Sequence, residues 1–234
     1  MKMSIVIPCY NEEKNIPLIL ERFKKIIEKE DIEIILVNNG STDNSAVVLE
    51  KLLFNCKFAR SVNVTVNQGY GYGIMQGLKK ARGEFIGWLH ADLQTDPNDA
   101  LKAYKILEKN NWNRNLYIKG RRKKREPGDK FFSLGMSIFE TFYLGKILTD
   151  INAQPNIFHR SFFKKWKNPP KDFSLDLYAL YMAKKLKLKI IRINVIFPKR
   201  IYGKSSWNTG LYSKIKLSRR TLEFSKKLKK QKIK

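Results

Sequence analysis

Residues 3–45 read MSIVIPCYNEEKNIPLILERFKKIIEKEDIEIILVNNGSTDNS. Two short runs rich in Ile and Val, Met3 to Pro8 and Ile32 to Asn38, each end in polar or glycine-containing sequence, as buried parallel strands do. Between them Ile16, Leu20, Phe23 and Ile27 recur at helical spacing, after Asn15 and Pro17 as start signals. The stretch therefore predicts one βαβ unit.

The pattern repeats outward. A helix is expected from Ser45 to Leu53, a strand from Val62 to Val66, a helix from Gly73 to Ala81 and a strand from Glu84 to Leu89. This alternation predicts an α/β fold: a mostly parallel sheet with helices on both faces, its ligand at the carboxyl ends of the strands. After a strand around Leu116 to Lys119 the character changes. Residues 121–130, RRKKREPGDK, read as an exposed loop broken by Pro127 and Gly128. A helix from Phe131 to Leu148 follows, with Phe131, Leu134, Ile138 and Phe142 on one apolar face, to be packed in a core or laid in a bilayer interface beside the basic loop. From Ser213 on, ten Lys or Arg stand against Glu223, interleaved with Ile215, Leu217, Leu222, Phe224 and Leu228, as in a solvated tail or a membrane-surface helix. The expected organisation is one catalytic domain over 1–212 and a basic amphipathic appendage over 213–234.

At 234 residues, the chain has room for one well-buried domain and not for two catalytic ones. The 47 Lys and Arg against 21 Asp and Glu leave a net charge of +26, which favours a phosphate-rich partner: nucleic acid, anionic lipid or a sugar nucleotide. Part of the excess is spread evenly along a chain rich in Lys, Ile and Asn. Cys9 and Cys56 lack metal-ligand spacing and fit reduced thiols of a cytoplasmic protein. No signal-peptide apolar region and no apolar run near the ~18 residues of a membrane span is visible. The expectation is a cytoplasmic protein, peripheral on a membrane.

The chemistry-bearing residues fall at strand ends. The first strand ends in Pro8-Cys9-Tyr10-Asn11-Glu12-Glu13 and the second in Asn38-Asn39-Gly40-Ser41-Thr42-Asp43, so both polar clusters share one sheet edge. Gly40 and the hydroxyl or acidic residues after it also suit a turn and a helix cap. The strand Glu84 to Leu89 runs into His90-Ala91-Asp92-Leu93-Gln94-Thr95-Asp96-Pro97. A carboxylate at Asp92, just past a buried strand, has no packing reason to be there. Mg²⁺ or Mn²⁺ bridging two phosphates needs only one or two protein oxygens, which Asp92 and Gln94 can supply. Asp96 before Pro97 reads instead as a helix N-cap.

The strings IVIPCYNEEKNI, ILVNNGSTDNS and NQGYGYGIMQGLKKARGEFIGWLHADLQTDP together resemble the family 2 glycosyltransferases of GT-A fold. Within them they are most similar to the dolichol-phosphate mannosyltransferase and polyprenyl-phosphate hexosyltransferase branch. The resemblance covers roughly residues 3 to 100 and, more loosely, extends to about 210. It implies that Pro8, Tyr10 and Glu12 line the nucleotide, and that Asn38 and Asn39 stand where the family has two aspartates, one reading the base. Gln68, Gly69 and Gly73 match the glycine-rich segment beside the nucleotide. His90-Ala91-Asp92 stands for Asp-Ala-Asp, keeping the metal-binding aspartate and replacing the first with a histidine that hydrogen-bonds and does not ligate. Gln94 matches the glutamine that accompanies the metal.

Further on, Gly120-Arg121-Arg122 resembles a Gly-x-Arg segment, which places Arg121 among the binding residues. Asp150 to Asn156, with Gln154, falls where the branch has its Ser-Asp-x-x-Gly-x-Phe-Arg-like segment. Asp176 aligns with an acidic residue near the acceptor. Arg200-Ile201-Tyr202-Gly203-Lys204-Ser205 resembles a phosphate-contacting Arg-x-x-Gly-x-Ser loop, giving Arg200, Lys204 and Ser205 basic and hydroxyl roles there. The implied reaction is inverting transfer of a hexosyl group from a UDP- or GDP-linked sugar to a polyprenyl phosphate or a glycan. A hydroxyl acceptor would need a base, Asp150 or Asp176; a lipid phosphate would need none. A degenerate, non-catalytic member is the alternative that Asn38, Asn39 and His90 raise. A nucleic-acid-binding protein explains the charge but neither HADLQ nor NNGS, so nucleic acid is not expected as a partner. A homo-oligomer is compatible with the sequence.

Overall fold

In the computed structural model, residues 1–27, 30–123, 127–198, 202 and 211–230 are described, with 127–133 and 211–217 as backbone only. The chain opens with β1 (Met3–Cys9), α1 (Asn15–Ile27), β2 (Ile32–Asn39), α2 (Ser45–Leu53), β3 (Ala59–Val64), α3 (Tyr70–Lys80) and β4 (Phe85–Trp88). It continues through α4 (Pro97–Lys109), β5 (Leu116–Lys123), α5 (Pro127–Leu144), β6 (Asn156–His159), α6 (Arg160–Phe163), α7 (Ser174–Lys185), β7 (Lys189–Ile196) and α8 (Leu211–Lys230). The seven strands form one sheet in the order β3-β2-β1-β4-β6-β5-β7.

β1 pairs in parallel with β2 and β4, β2 with β3, and β5 with β7. All eight residues of β2 are buried, because helices cover both faces of the sheet. On one face Ile16, Leu20, Phe23 and Ile27 of α1 pack with Ile5, Ile34 and Leu107. On the other, Ile74 and Leu78 of α3 pack with Val6, Val37, Tyr178 and Leu180. The expected mostly parallel α/β sheet is the one observed, and its early elements lie within a few residues of their expected bounds.

One strand reverses the pattern. β6 runs antiparallel to both β4 and β5, pairing Trp88 with Asn156 and Lys119 with Asn156. Its amino-terminal end therefore sits at the edge where β4 and β5 finish. That brings the 150–155 segment to the carboxyl edge, where β1, β2, β4, β5 and β7 also end.

Two expectations change in the second half. The exposed loop set at 121–130 is in part strand, since β5 runs on through Lys123 in register with β7, and α5 already begins at Pro127. The apolar stripe of α5 does not enter the core: Leu134 is 53% exposed, Ile138 49% and Phe142 82%. Phe131 lies among the residues described as backbone only. Burial is supplied further along by Leu144 and Leu148. The basic segment from 213 belongs to α8, which packs on α5 and α7 with Ser225 and Leu228 fully buried. Among the described residues no helix is long and apolar enough to cross a membrane.

Between α5 and α8 the fully buried carboxyl of Glu140 accepts a hydrogen bond from Ser225 Oγ at 2.7 Å, while its other oxygen has no partner among the described residues. Burial raises this carboxyl above its ordinary 4.5. A raised folded value means the folded state binds the proton more tightly than the unfolded chain. The contribution is therefore whole below pH 4.5 and is lost as pH rises through the folded value. Glu140→Gln is expected to remove that decline while keeping the Ser225 contact, as urea unfolding of both proteins across the acidic-to-neutral range will show.

Candidate active site

The ends of β1 and β2 are tied together by their own polar groups. Thr42 N–H donates to Asn11 Oδ1 at 2.8 Å, Asn11 Nδ2 donates to Thr42 Oγ1 at 3.1 Å, and Glu12 N–H donates to Ser45 Oγ at 2.9 Å. Asp43 accepts from the backbone of Glu13 and Ser45. The hydroxyl and acidic residues after Gly40 thus build the turn, as their sequence allows. They leave Pro8, Tyr10 and Glu12 beside Asn38 and Asn39 at the rim, with Tyr10 exposed.

Asn38 Oδ1 accepts from Ser41 N–H at 3.1 Å, and Asn39 Nδ2 donates to Gly69 O at 3.0 Å. An aspartate at 39 could not make that donation. The asparagine lies flat against α3, where a Cβ on Gly73 would come within 2.8 Å of its side chain. Asn39 Oδ1 is buried with no partner among the described residues. Gln68 accepts from Lys171 Nζ at 3.2 Å, which ties the glycine-rich segment to the chain entering α7.

Beyond β4, Leu93 takes a left-handed conformation (φ 59°), and the turn it makes returns Gln94 N–H to Asp92 Oδ1 at 3.1 Å. Gln94 Nε2 donates to Pro198 O at 2.9 Å, just past β7. Asp96 caps α4 by accepting from Asn98 N–H at 2.9 Å, the structural role expected of it. His90 stacks on Tyr70 at 5.6 Å and meets Phe197 edge-on at 6.3 Å. Among the described residues no group of three or more His, Cys, Asp or Glu could hold a metal ion. The oxygens of Asp92 and Gln94 at one turn are hard donors. They suit Mg²⁺ or Mn²⁺ whose remaining positions are filled by phosphate and water.

Tyr70 is the residue the sequence did not single out. Its ring lies parallel to Phe173 at 4.3 Å, and its hydroxyl accepts from Gln154 Nε2. Burial, reinforced by the charges of Asp176 and Asp92, pushes the phenol well above its ordinary range, so it stays protonated. Within NQGYGYG the tyrosine reads as helix-start sequence, and nothing local marks it. Gln154 is fully buried, its Oε1 with no partner among the described residues, and Gly120 is required beneath it: a Cβ there would lie 2.1 Å from Gln154 O.

The two acidic candidates differ. Asp176 is 1% exposed, and its Oδ1 accepts from Trp88 Nε1 at 3.2 Å and Asn156 Nδ2 at 2.8 Å. Burial raises its carboxyl, against the opposing charge of Lys119. Asp150, half-buried, accepts from Arg122 N–H at 3.4 Å, and the Arg122 guanidinium lies 5.0 Å from the Phe197 ring. Arg121 is exposed on β5. Arg200, Lys204 and Ser205 lie outside the described residues. The structure therefore gathers the predicted residues of β1, β2, β4, α3 and the 150–156 segment along one edge and sets Asp176 beneath it.

A mostly parallel sheet with β6 reversed between β4 and β5, and an acidic turn after β4, is an α/β arrangement that carries its polar turns along one edge. The chain belongs to glycosyl transferase family 2, whose profile matches residues 4–173. Among curated relatives, an undecaprenyl-phosphate 4-deoxy-4-formamido-L-arabinose transferase of Proteus mirabilis (strain HI4320) is 40% identical over 102 residues, 42% of this chain and 31% of that protein. The enzyme of that name from Yersinia enterocolitica serotype O:8 / biotype 1B (strain NCTC 13174 / 8081) is 37% identical over 111 residues, 46% of this chain and 34% of its own. The match thus spans about a third of these relatives' length. A glucosyl-3-phosphoglycerate synthase from Mycobacterium tuberculosis, solved with Mn²⁺, uridine diphosphate and glucosyl-3-phosphoglycerate, superposes with a TM-score of 0.70 at 16% identity, over 97% of this chain and 79% of that one. The same enzyme with Mg²⁺ and uridine diphosphate gives 0.70 at 18% identity, over 96% and 79%. These likenesses bear on the fold, which is the GT-A fold expected.

Tyr70→Phe keeps the stack but leaves Gln154 Nε2 without its acceptor in a buried place. A loss of about 1–3 kcal/mol is expected from the urea midpoint at unchanged slope.

Proposed function

We propose that the chain transfers a hexosyl group, with inversion, from a UDP- or GDP-linked sugar to a polyprenyl phosphate at the cytoplasmic face of a membrane. The observation that carries this is Asp92, nearly buried at the end of β4 in a turn shared with Gln94, on the edge where the β1 and β2 clusters also meet. The names of the curated relatives support a polyprenyl-phosphate acceptor, and the metal and uridine diphosphate bound in the superposed synthase support the donor type.

Glu12, Asn38 and Asn39 would face the nucleoside, with Gln68, Gly69 and Gly73 behind it. Asp92 and Gln94 would hold Mg²⁺ or Mn²⁺, which when bound neutralises charge on the departing diphosphate. His90 keeps its place by stacking and is read as a contact to the nucleotide. Arg200, Lys204 and Ser205 are assigned to phosphate, together with Arg121. The acceptor oxygen attacks the anomeric carbon from the face opposite the diphosphate. A lipid phosphate is already ionised, and this suits a site in which Asp176 is enclosed by two N–H donors and Asp150 is bonded to the β5 backbone. On this reading neither acid abstracts a proton, and both position their surroundings.

Asp92→Ala is expected to abolish Mn²⁺-dependent binding of sugar nucleotides, screened by calorimetry, with the fold kept. Metal-dependent binding that persists in the folded variant would remove Asp92 from the site.

For membrane seating, Leu134, Ile138, Phe139 and Phe142 present an exposed apolar stripe on α5, and α8 brings Lys226, Lys227, Lys229 and Lys230, with Lys229 Nζ 4.4 Å from the Tyr143 ring. Each cation near an anionic surface contributes about 1 kcal/mol, and an inserted aromatic face adds burial. Removing 213–234 would uncover the core around Leu228, so point substitution is the cleaner probe. Co-sedimentation with anionic vesicles is expected to weaken with salt and with Ile138→Asp/Phe142→Asp. Indifference of the intact protein to such vesicles at low salt would instead favour a glycan acceptor.

A further inference from the structure

Lys119 of β5 is a lysine with no exposed surface, and its three protons all have acceptors: Ile151 O at 2.8 Å, Ala153 O at 2.8 Å and Asn156 Oδ1 at 2.7 Å. A buried ammonium is costly unless it is paired and fully hydrogen-bonded. The counter-charge is Asp176, reached through Asn156, whose Nδ2 donates to the carboxylate while its Oδ1 also accepts from Tyr117 Oη at 2.9 Å. An apolar side chain of the same size would fill the space. It would not satisfy the carbonyls of Ile151 and Ala153, which lie in irregular chain with no ladder to bond.

Two arginines do similar work beside it. Arg192 Nη2 donates to Thr149 O at 2.8 Å, and Arg122 Nη2 donates to Asn152 O. The carbonyls of residues 149, 151, 152 and 153 are thus all held by cations from β5 and β7. Directly after them comes Gln154, whose amide fixes the hydroxyl of Tyr70, and Tyr70 in turn stacks on His90 and Phe173.

We propose that Lys119 is a positioning residue for the reaction: it fixes the course of the 149–155 loop, and with it the side of the site where Asp150 and Asp176 lie and the acceptor is received. The assignment of that side rests on the function proposed above. Charged groups of both signs act on the Lys119 ammonium. Burial pulls it down to about 7, Asp176 and Asp150 favour its charge, and Arg192 and Arg122 oppose it.

The test uses the full chain as Lys119→Met and as Lys119→Met/Asp176→Asn, which removes both buried charges together, with Asp176→Asn alone as reference. Hydrogen exchange of the peptide covering 150–158, read by mass spectrometry, reports on the loop without any turnover. It is expected to be about tenfold faster in the folded double variant than in the reference, the worth of roughly one net hydrogen bond. Where transfer is measured, kcat is expected to fall by up to about 100-fold, as a misplaced site loses orientation, with affinity for the sugar nucleotide much less changed. Unchanged exchange in a folded double variant overturns the proposal. So does failure of both lysine variants to fold, since Lys119 would then serve the whole sheet. If the unsubstituted protein transfers nothing to polyprenyl phosphate, the functional reading fails, while the exchange result still decides what Lys119 holds.

Discussion

The side chain of Asn156 is the point on which the site half of this molecule turns. It heads a strand that runs against its neighbours, opposite Trp88 on one side and Lys119 on the other. Its amide then does what only an amide can: the oxygen accepts from Lys119 and Tyr117, and the nitrogen donates to Asp176. Two buried titratable groups, Lys119 and Asp176, are joined without touching, and each keeps the remainder of its hydrogen bonds for something else. Lys119 reaches up to the loop, and Asp176 holds the indole of Trp88 beneath the β4 turn. Such a network is worth having only when complete, because any missing partner leaves a polar group stranded in a medium of low dielectric.

The first hundred residues were legible because local pattern and tertiary fate coincide there. The runs of β1 and β2 are buried almost throughout, α1 shows one apolar stripe, and the polar clusters after β1 and β2 terminate strands. The turn roles of Ser41 to Ser45 and the cap at Asp96 could be read from residue type alone. Past residue 110 that agreement ends. β6 is four residues long and antiparallel, too short to show a period, and its direction decides which loop reaches the site. Lys119 reads only as the last residue of a strand, just before the charged stretch from Arg121; only the folded register shows it enclosed. Tyr70 was hidden for the opposite reason, lying in a segment whose glycines draw the eye.

Charge makes the same point at the level of the whole chain. An excess of +26 suggests a surface made for phosphate, and much of it is exposed lysine. Yet Lys119, Arg122 and Arg192 face backbone carbonyls, and Arg60 is bonded to the buried Glu33. These cations serve the fold. The apolar stripe of α5 is the converse case, residues that composition assigns to an interior and the fold leaves outside.

The bond from Gln94 to Pro198 has a stereochemical meaning of its own. A primary amide looks nearly the same after half a turn about its last torsion, and a free glutamine presents nitrogen or oxygen to a neighbour with little preference. With Nε2 donating to Pro198 O, that symmetry is broken. Turning the amide over would set two carbonyl oxygens against each other. The end of β7 therefore acts as a polarity key for the turn after β4, fixing which pole of the amide dipole faces away from it.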